Sequence, residues 1–219
     1  MRKAIREFVS IVAASLPVPD PIYEFGSLLL PGQGEIADLR LLFPGRAYVG
    51  VDMRKGPGVD RVLDLHDIAL PGESVGTALC LDTLEHVEFP HRAMAEICRV
   101  VAPGGIAVIS SAMYFPIHDF PRDYWRFTPE GFRSLLGPFP DAFVGHYGAM
   151  DFPNGVLGIG FKGPAPPLDG FIAKYEEWRS RYEVVGGESG FKRMVKLITP
   201  PVLYPIFAPI YRTLKPGRT

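Results

Sequence analysis

Cysteine is scarce in this sequence: two in 219 residues, Cys80 in an apolar run and Cys98 in a helical pattern. Two such residues build neither a disulfide framework nor a thiolate metal cluster, and they suit a reducing cytoplasm. No run approaches the ~20 apolar residues that a membrane-spanning helix needs. No sign of charge dominates, since 23 Lys and Arg face 24 Asp and Glu for a formal net charge of −1. Non-specific nucleic-acid binding therefore has no electrostatic basis. Repeats and low-complexity segments are also missing. What is present is 47% hydrophobic residues, ordinary for a globular protein, in a chain long enough to bury a substantial core.

The N-terminal stretch MRKAIREFVSIVAASLPVPD superficially suggests a signal peptide. Arg6 and Glu7 interrupt its apolar part, however, and Ile5, Phe8, Val9, Val12 and Leu16 recur at helical spacing. An amphipathic helix ending before Pro17 is the better expectation. Strand candidates follow at Ile22–Gly26, Ala47–Asp52, Arg61–Asp64, Ala78–Asp82 and Ile106–Ser111, short and apolar on both faces as buried parallel strands are. Helix candidates fall at Glu35–Phe43 and Pro90–Val101, the second opened by Pro90 and stopped by Pro103-Gly104-Gly105.

After Ser111 the segment SAMYFPIHDFPRDYWRFTPEGFRSLL is rich in aromatics, proline and charge, and turns helical from about Pro129. Two closely joined strand candidates, Ala142–Tyr147 and Val156–Phe161, suggest an antiparallel pair at the sheet edge. The expected fold class is α/β: a doubly wound, mostly parallel seven-stranded sheet with an antiparallel edge strand. The expected domains are 1–163 and a C-terminal appendage, 164–219, entered through the linker-like GPAPPLDG. In the appendage, Phe171, Tyr175, Trp178 and Tyr182 fall on one helix face.

The stretch PIYEFGSLLLPGQGEIADLRLLFPGRAYVGVDMRKG has the outline of a nucleotide-binding βαβ unit but lacks its glycines. Ligands in such folds sit beyond the carboxyl ends of the strands, which here offer Gly26, Asp52, Asp64 and Asp82. A glycine there admits close backbone approach, and an acid after the second strand can accept both hydroxyls of a ribose. Bulky Leu28, Leu29, Leu30 and Pro31 would crowd a diphosphate, which argues against the G-x-G-x-x-G dinucleotide site. A cofactor without phosphates and with a positive charge, which Glu24 could help to compensate, is better accommodated.

In order, IYEFGS, YVGVDM, VLDLHDIALPGESVGTALCLDTLEHV and VAPGGIAVIS resemble the motif series of Rossmann-like methyltransferases that use S-adenosylmethionine (SAM). The resemblance, of the methyltransferase type 11 kind, spans roughly Pro21 to Ser111. It implies SAM as cofactor, with Glu24 and Gly26 near its methionine part and Asp52 on the ribose. It further implies Met53 against the adenine, Asp64 and Leu65 at the adenine edge, and Leu81 and Asp82 lining the site. Leu28 stands where that family usually has a second glycine.

Transfer to an oxygen needs positioning and gains from a general base. His86, in LEHV, and His118 are the catalytic candidates. The segment around His118 resembles one in bacterial methyltransferases of sugar and polysaccharide pathways. That makes a saccharide or other small-molecule hydroxyl the expected acceptor, with Tyr124, Trp125 and Arg126 as a stacking surface and a fixed cation. The alternative is a methyltransferase-like binding or scaffold protein without activity. Asp82, Glu85, His86 and His91 match neither a zinc nor a magnesium spacing, so no metal is expected.

The tail FKRMVKLITPPVLYPIFAPIYRTLKPGRT brackets an apolar, proline-broken stretch with cations. Packing over the core or a homodimer contact is favoured for it. Peripheral contact with the inner face of the membrane is the sharper alternative.

Overall fold

Alternation of short two-sided apolar strands with amphipathic helices builds one seven-stranded sheet. The computed structural model describes residues 2–183 except 33, 119, 120, 150 and 151. Its elements are α1 (Lys3–Ser15), β1 (Ile22–Phe25), α2 (Gly34–Ala37), β2 (Tyr48–Asp52), β3 (Arg61–Val62), β4 (Val75–Leu81), α3 (Pro90–Val100), β5 (Val101–Ala112), α4 (Pro129–Leu135), β6 (Asp141–Ala149), β7 (Phe152–Phe161) and α5 (Asp169–Glu183). The strand order is β3-β2-β1-β4-β5-β7-β6. β7 runs antiparallel to both neighbours, so the antiparallel strand is the one beside the edge and β6 forms the edge itself.

β4 is buried along its whole length, which explains why its residues show no alternation in polarity. Sheet pleating sends Phe25, Cys80, Ala107 and Ile109 to the face covered by α3 and α4. Ile22, Leu79, Leu81, Ile106 and Val108 go to the face covered by α1 and α5. α1 buries Ile5, Phe8, Val9 and Val12, the helical stripe visible in the sequence.

Two expectations change. The helix foreseen over Glu35–Phe43 is only the four-residue α2 and a separate 3-10 turn at Arg40–Leu42. Asp38 interrupts it by accepting from the Arg40 backbone N–H through Oδ1, a local side-chain bond that competes with helix continuation. Second, the compact unit that contains the sheet runs Met1–Val185 and includes α5, which the sequence grouped with an appendage. Phe8 meets Phe171, Tyr175 and Trp178 at ring-centroid distances of 5.8–6.4 Å. The Tyr175 hydroxyl also bonds both the N–H and the C=O of His146 on β6, at 2.9 and 2.8 Å. The proline-broken tail, with the membrane and dimer readings attached to it, lies outside the described residues. No described helix is long and apolar enough to cross a membrane.

Trp178 is fully buried between α1 and β6. Trp178→Ala is expected to lose about 3–5 kcal/mol in urea unfolding, the cost of emptying a large aromatic site in a packed core. A loss under ~1 kcal/mol would mean that α5 does not stabilise the sheet.

Candidate active site

Turns at the carboxyl ends of β1, β2, β4 and β5 build the site. Gly26, at φ +90°, begins the turn after β1, and its N–H donates to Val51 O. A Cβ there would stand 2.1 Å from Thr83 Oγ1, so glycine is required by the chain after β4 as well as by φ. The following loop leans over the loop after β2: Ser27 Oγ donates to Gly58 O, Leu29 N donates to Pro57 O, and Leu28 packs on Gly56. The leucines that replace a glycine-rich loop thus hold two cofactor-side loops together.

Asp52, at the end of β2, is 8% exposed, and its Oδ1 accepts from the Arg54 backbone N–H at 2.8 Å. Its Oδ2 carries no hydrogen bond among the described residues. Beside it Met53 presents an exposed apolar side chain. Asp64 lies after β3, where its Oδ1 accepts from the backbone N–H of His66. That bond, with the His66 ring, holds its carboxyl below the usual range. Leu65 is partly buried against the core.

Three of the expected cofactor contacts fall elsewhere. Glu24 is buried and accepts from Tyr48 Oη at 2.6 Å, because the pleat sends it beneath the sheet surface with Ile22. Leu81 packs into the core under α1. Asp82 is held by the Arg2 guanidinium at 2.6 and 3.1 Å and by Ser110 Oγ at 2.9 Å. Burial would raise the Asp82 carboxyl, but Arg2 and Ser110 overcome this and hold it low. Arg2, at the N-cap of α1, had no local signal in the sequence beyond its charge.

Past Asp82, which takes the left-handed conformation at φ +47°, a 3-10 turn spans Leu84–His86. It carries Glu85 inward and His86 outward. Glu85 is 2% exposed, and its Oε2 accepts from Ser111 Oγ at 2.8 Å. Burial and then the nearby Asp82 push its carboxyl up to about 7. The Glu85 carbonyl accepts the backbone N–H groups of Tyr124 and Trp125, which ties the segment after β5 to this turn.

His118 arrives on that segment, its ring centroid 4.8 Å from that of His86. One ligating atom from each of Glu85, His86 and His118 lies within 4.8 Å of the others. The grouping rejected from spacing is thereby replaced. His91 sits exposed on α3 and Asp82 is bound by Arg2, while His118 comes in from a distant loop. Arg126 is not a free cation: it holds Asp123 at 2.6 and 2.7 Å and also donates to Phe115 O, Pro116 O and Trp125 O. It clamps the loop that carries His118. Tyr124 and Trp125 are both half exposed, with Trp125 Nε1 donating to Val87 O. Arg122 bridges the two sides of the site, its carbonyl 2.6 Å from His86 Nδ1 and its Nη1 3.4 Å from Met53 Sδ.

Residues 35–109 match the family model described as a methyltransferase domain, about a third of the chain. Among solved structures, the chain is similar to a SAM-dependent methyltransferase of Thermotoga maritima, described as a possible histamine N-methyltransferase. That pair has 20% identity and a TM-score of 0.52, with 73% of this chain and 89% of that one covered. It is similar to a SAM-dependent methyltransferase of Mesorhizobium loti, with 18% identity, a TM-score of 0.52, and 71% and 97% covered. The CurJ carbon methyltransferase gives 12% identity and a TM-score of 0.54, with 75% of this chain and 54% of that chain covered. No curated protein gives a significant sequence match. At these identities the likeness establishes the Rossmann-like methyltransferase fold.

Burial pushes the Glu24 carboxyl up to about 7, partly opposed by the Tyr48 hydrogen bond. A carboxyl whose folded pKa exceeds its unfolded value of about 4.3 stabilises the native state below that value and loses this as pH rises through the folded one. Glu24→Gln should therefore gain stability relative to the unsubstituted protein between pH 5 and pH 8, by up to about 3 kcal/mol. Urea unfolding at the two pH values checks this; a pH-independent difference would refute it.

Proposed function

We propose that the protein is a SAM-dependent methyltransferase acting on a hydroxyl of a saccharide or other small molecule. The observation that carries this reading is the bridge that Arg122 makes from Met53, the neighbour of Asp52, to His86, whose ring meets that of His118. The match over residues 35–109 supports it.

The residues present fit the cofactor in part. Asp52 has an oxygen open to ribose hydroxyls, and Met53 offers an apolar surface to the adenine. Asp64 stands at the same sheet end, although Leu28 narrows the approach from the β1 loop. Bound SAM would supply an electrophilic methyl group. The chain's own residues supply position and proton handling. His86 donates from Nδ1 to Arg122 O, which leaves Nε2 unprotonated and able to accept a proton from an acceptor hydroxyl. His118 Nδ1 faces Pro116 O at 3.2 Å and Asp123 Oδ2 at 3.3 Å, which favours the same tautomer.

Phe115 lies edge-on to His118 at 4.9 Å, and Tyr114, Tyr124 and Trp125 of the same segment are exposed rings of the kind that stack on a sugar. The C-terminal tail, with its bracketing cations, would serve an acceptor carried on a lipid. The second reading, a methyltransferase-like binding protein without activity, draws on Leu28 in the cofactor loop and on Asp82 being occupied by Arg2.

Calorimetry with SAM should show binding, and Asp52→Ala should weaken it by about 1–3 kcal/mol as buried hydroxyls lose their acceptor. No binding by the unsubstituted protein, or an unchanged constant in the variant, refutes the cofactor assignment. With saccharide acceptors, His118→Gln should release S-adenosylhomocysteine ~10²-fold more slowly at unchanged SAM affinity. Binding without any release of that product would favour the non-catalytic reading.

A further inference from the structure

Glu85, His86 and His118 come from two separate segments and converge on one point at the carboxyl ends of β4 and β5. The identity of the three side chains matters. Two imidazoles and one carboxylate form a nitrogen-rich set that suits first-row transition ions, whereas magnesium and calcium favour all-oxygen surroundings.

Each imidazole is prepared in the same way. His86 Nδ1 lies 2.6 Å from the Arg122 carbonyl. His118 Nδ1 lies 3.2 Å from the Pro116 carbonyl and 3.3 Å from Asp123 Oδ2. A neutral histidine with Nδ1–H so engaged keeps its Nε2 lone pair for coordination, and metal-ligating histidines use this arrangement to fix ring orientation. Behind His118 stands the Arg126–Asp123 clamp, which also holds the His118 backbone N–H through Asp123 Oδ2 at 2.8 Å. The carboxylate is equally set: Glu85 is 2% exposed and oriented by Ser111 Oγ. None of the ion pairs among the described residues involves Glu85, because the adjacent Arg2 is committed to Asp82.

We propose that Glu85, His86 and His118 form a binding site for one divalent first-row transition-metal ion, of the Zn²⁺ or Co²⁺ type, with open coordination positions. Ligands at about 2.0–2.1 Å from a tetrahedral ion stand roughly 3.3 Å apart. One potential ligating atom of each residue already lies within 4.8 Å of the others, so a contraction of the cluster by little more than ~1 Å would reach that spacing. Three protein ligands leave room for an acceptor hydroxyl, whose proton a bound cation makes easier to lose to solvent. The ion then takes the place of the histidine base, because both Nε2 lone pairs are coordinated. That last role rests on the methyl-transfer reading; the binding of the ion does not.

The test uses tag-free full-length protein stripped with a chelator and titrated with Co²⁺, followed by visible absorption and then by displacement with Zn²⁺. One equivalent should bind. His86→Ala and His118→Ala should each weaken binding at least about tenfold, the range seen even for loss of residues that only support a ligand. His91→Ala, an exposed histidine outside the cluster, should leave it unchanged. Thermal melts of each variant establish that it is folded, and His118, on a surface loop, carries the test if His86→Ala unfolds. Absence of stoichiometric Co²⁺ binding, or full affinity in folded His118→Ala, overturns the site. Because no SAM is present, Co²⁺ binding without SAM binding would leave the metal site standing and sink the methyltransferase reading. The opposite pair of results would do the reverse.

Discussion

The two-pronged ion pair between Arg2 and Asp82 fixes the arrangement of this site. Asp82 follows β4 in a left-handed conformation, and its side chain is only 14% exposed. A carboxylate placed there without a partner would destabilise the fold by several kcal/mol. Arg2 meets that requirement from the N-cap of α1, while its Nη1 reaches the Asn154 carbonyl on β7. One guanidinium thus ties the start of the chain to the ends of two strands. The turn that presents Glu85 and His86 starts from the residue it holds.

From that anchor, the site is assembled by backbone bonds more than by side-chain charges. The Glu85 carbonyl receives Tyr124 and Trp125, the Arg122 carbonyl receives His86, and Arg126 closes the loop on itself through Asp123. A long aromatic segment without regular structure is thereby held by hydrogen bonds at both its ends. Tyr114, Phe115, Tyr124 and Trp125 are left exposed, while Asp123 and Arg126 are consumed internally.

The fold was legible because its signals are local. Buried strands read as short apolar runs, α1 showed its stripe, and Thr128 with Pro129 marked the start of α4, where Thr128 Oγ1 caps Gly131 N. Asp52 was legible for the same reason, since a strand-end acid depends only on where its strand stops. The partners of Asp82 and Arg126 were not legible, because they depend on how the chain folds. Asp82 is engaged by a residue 80 positions earlier, and Arg126 turns back on its own loop. Glu24 was placed at the correct strand end but on the wrong side of the pleat, where Tyr48 meets it. The grouping of Glu85 and His86 with His118 depends on the path of a loop, which residue spacing does not encode.

The pairing of α1 with α5 bears on how the chain is made. Phe8 leaves the ribosome more than 160 residues before the rings of Phe171 and Trp178 that cover it. β7 must also slot between β5 and β6, so the edge strand has no place in the sheet until its successor has been synthesised. During translation the apolar stripe of the first helix therefore waits without its final partners. The nascent protein is a natural client for chaperones that shield such surfaces.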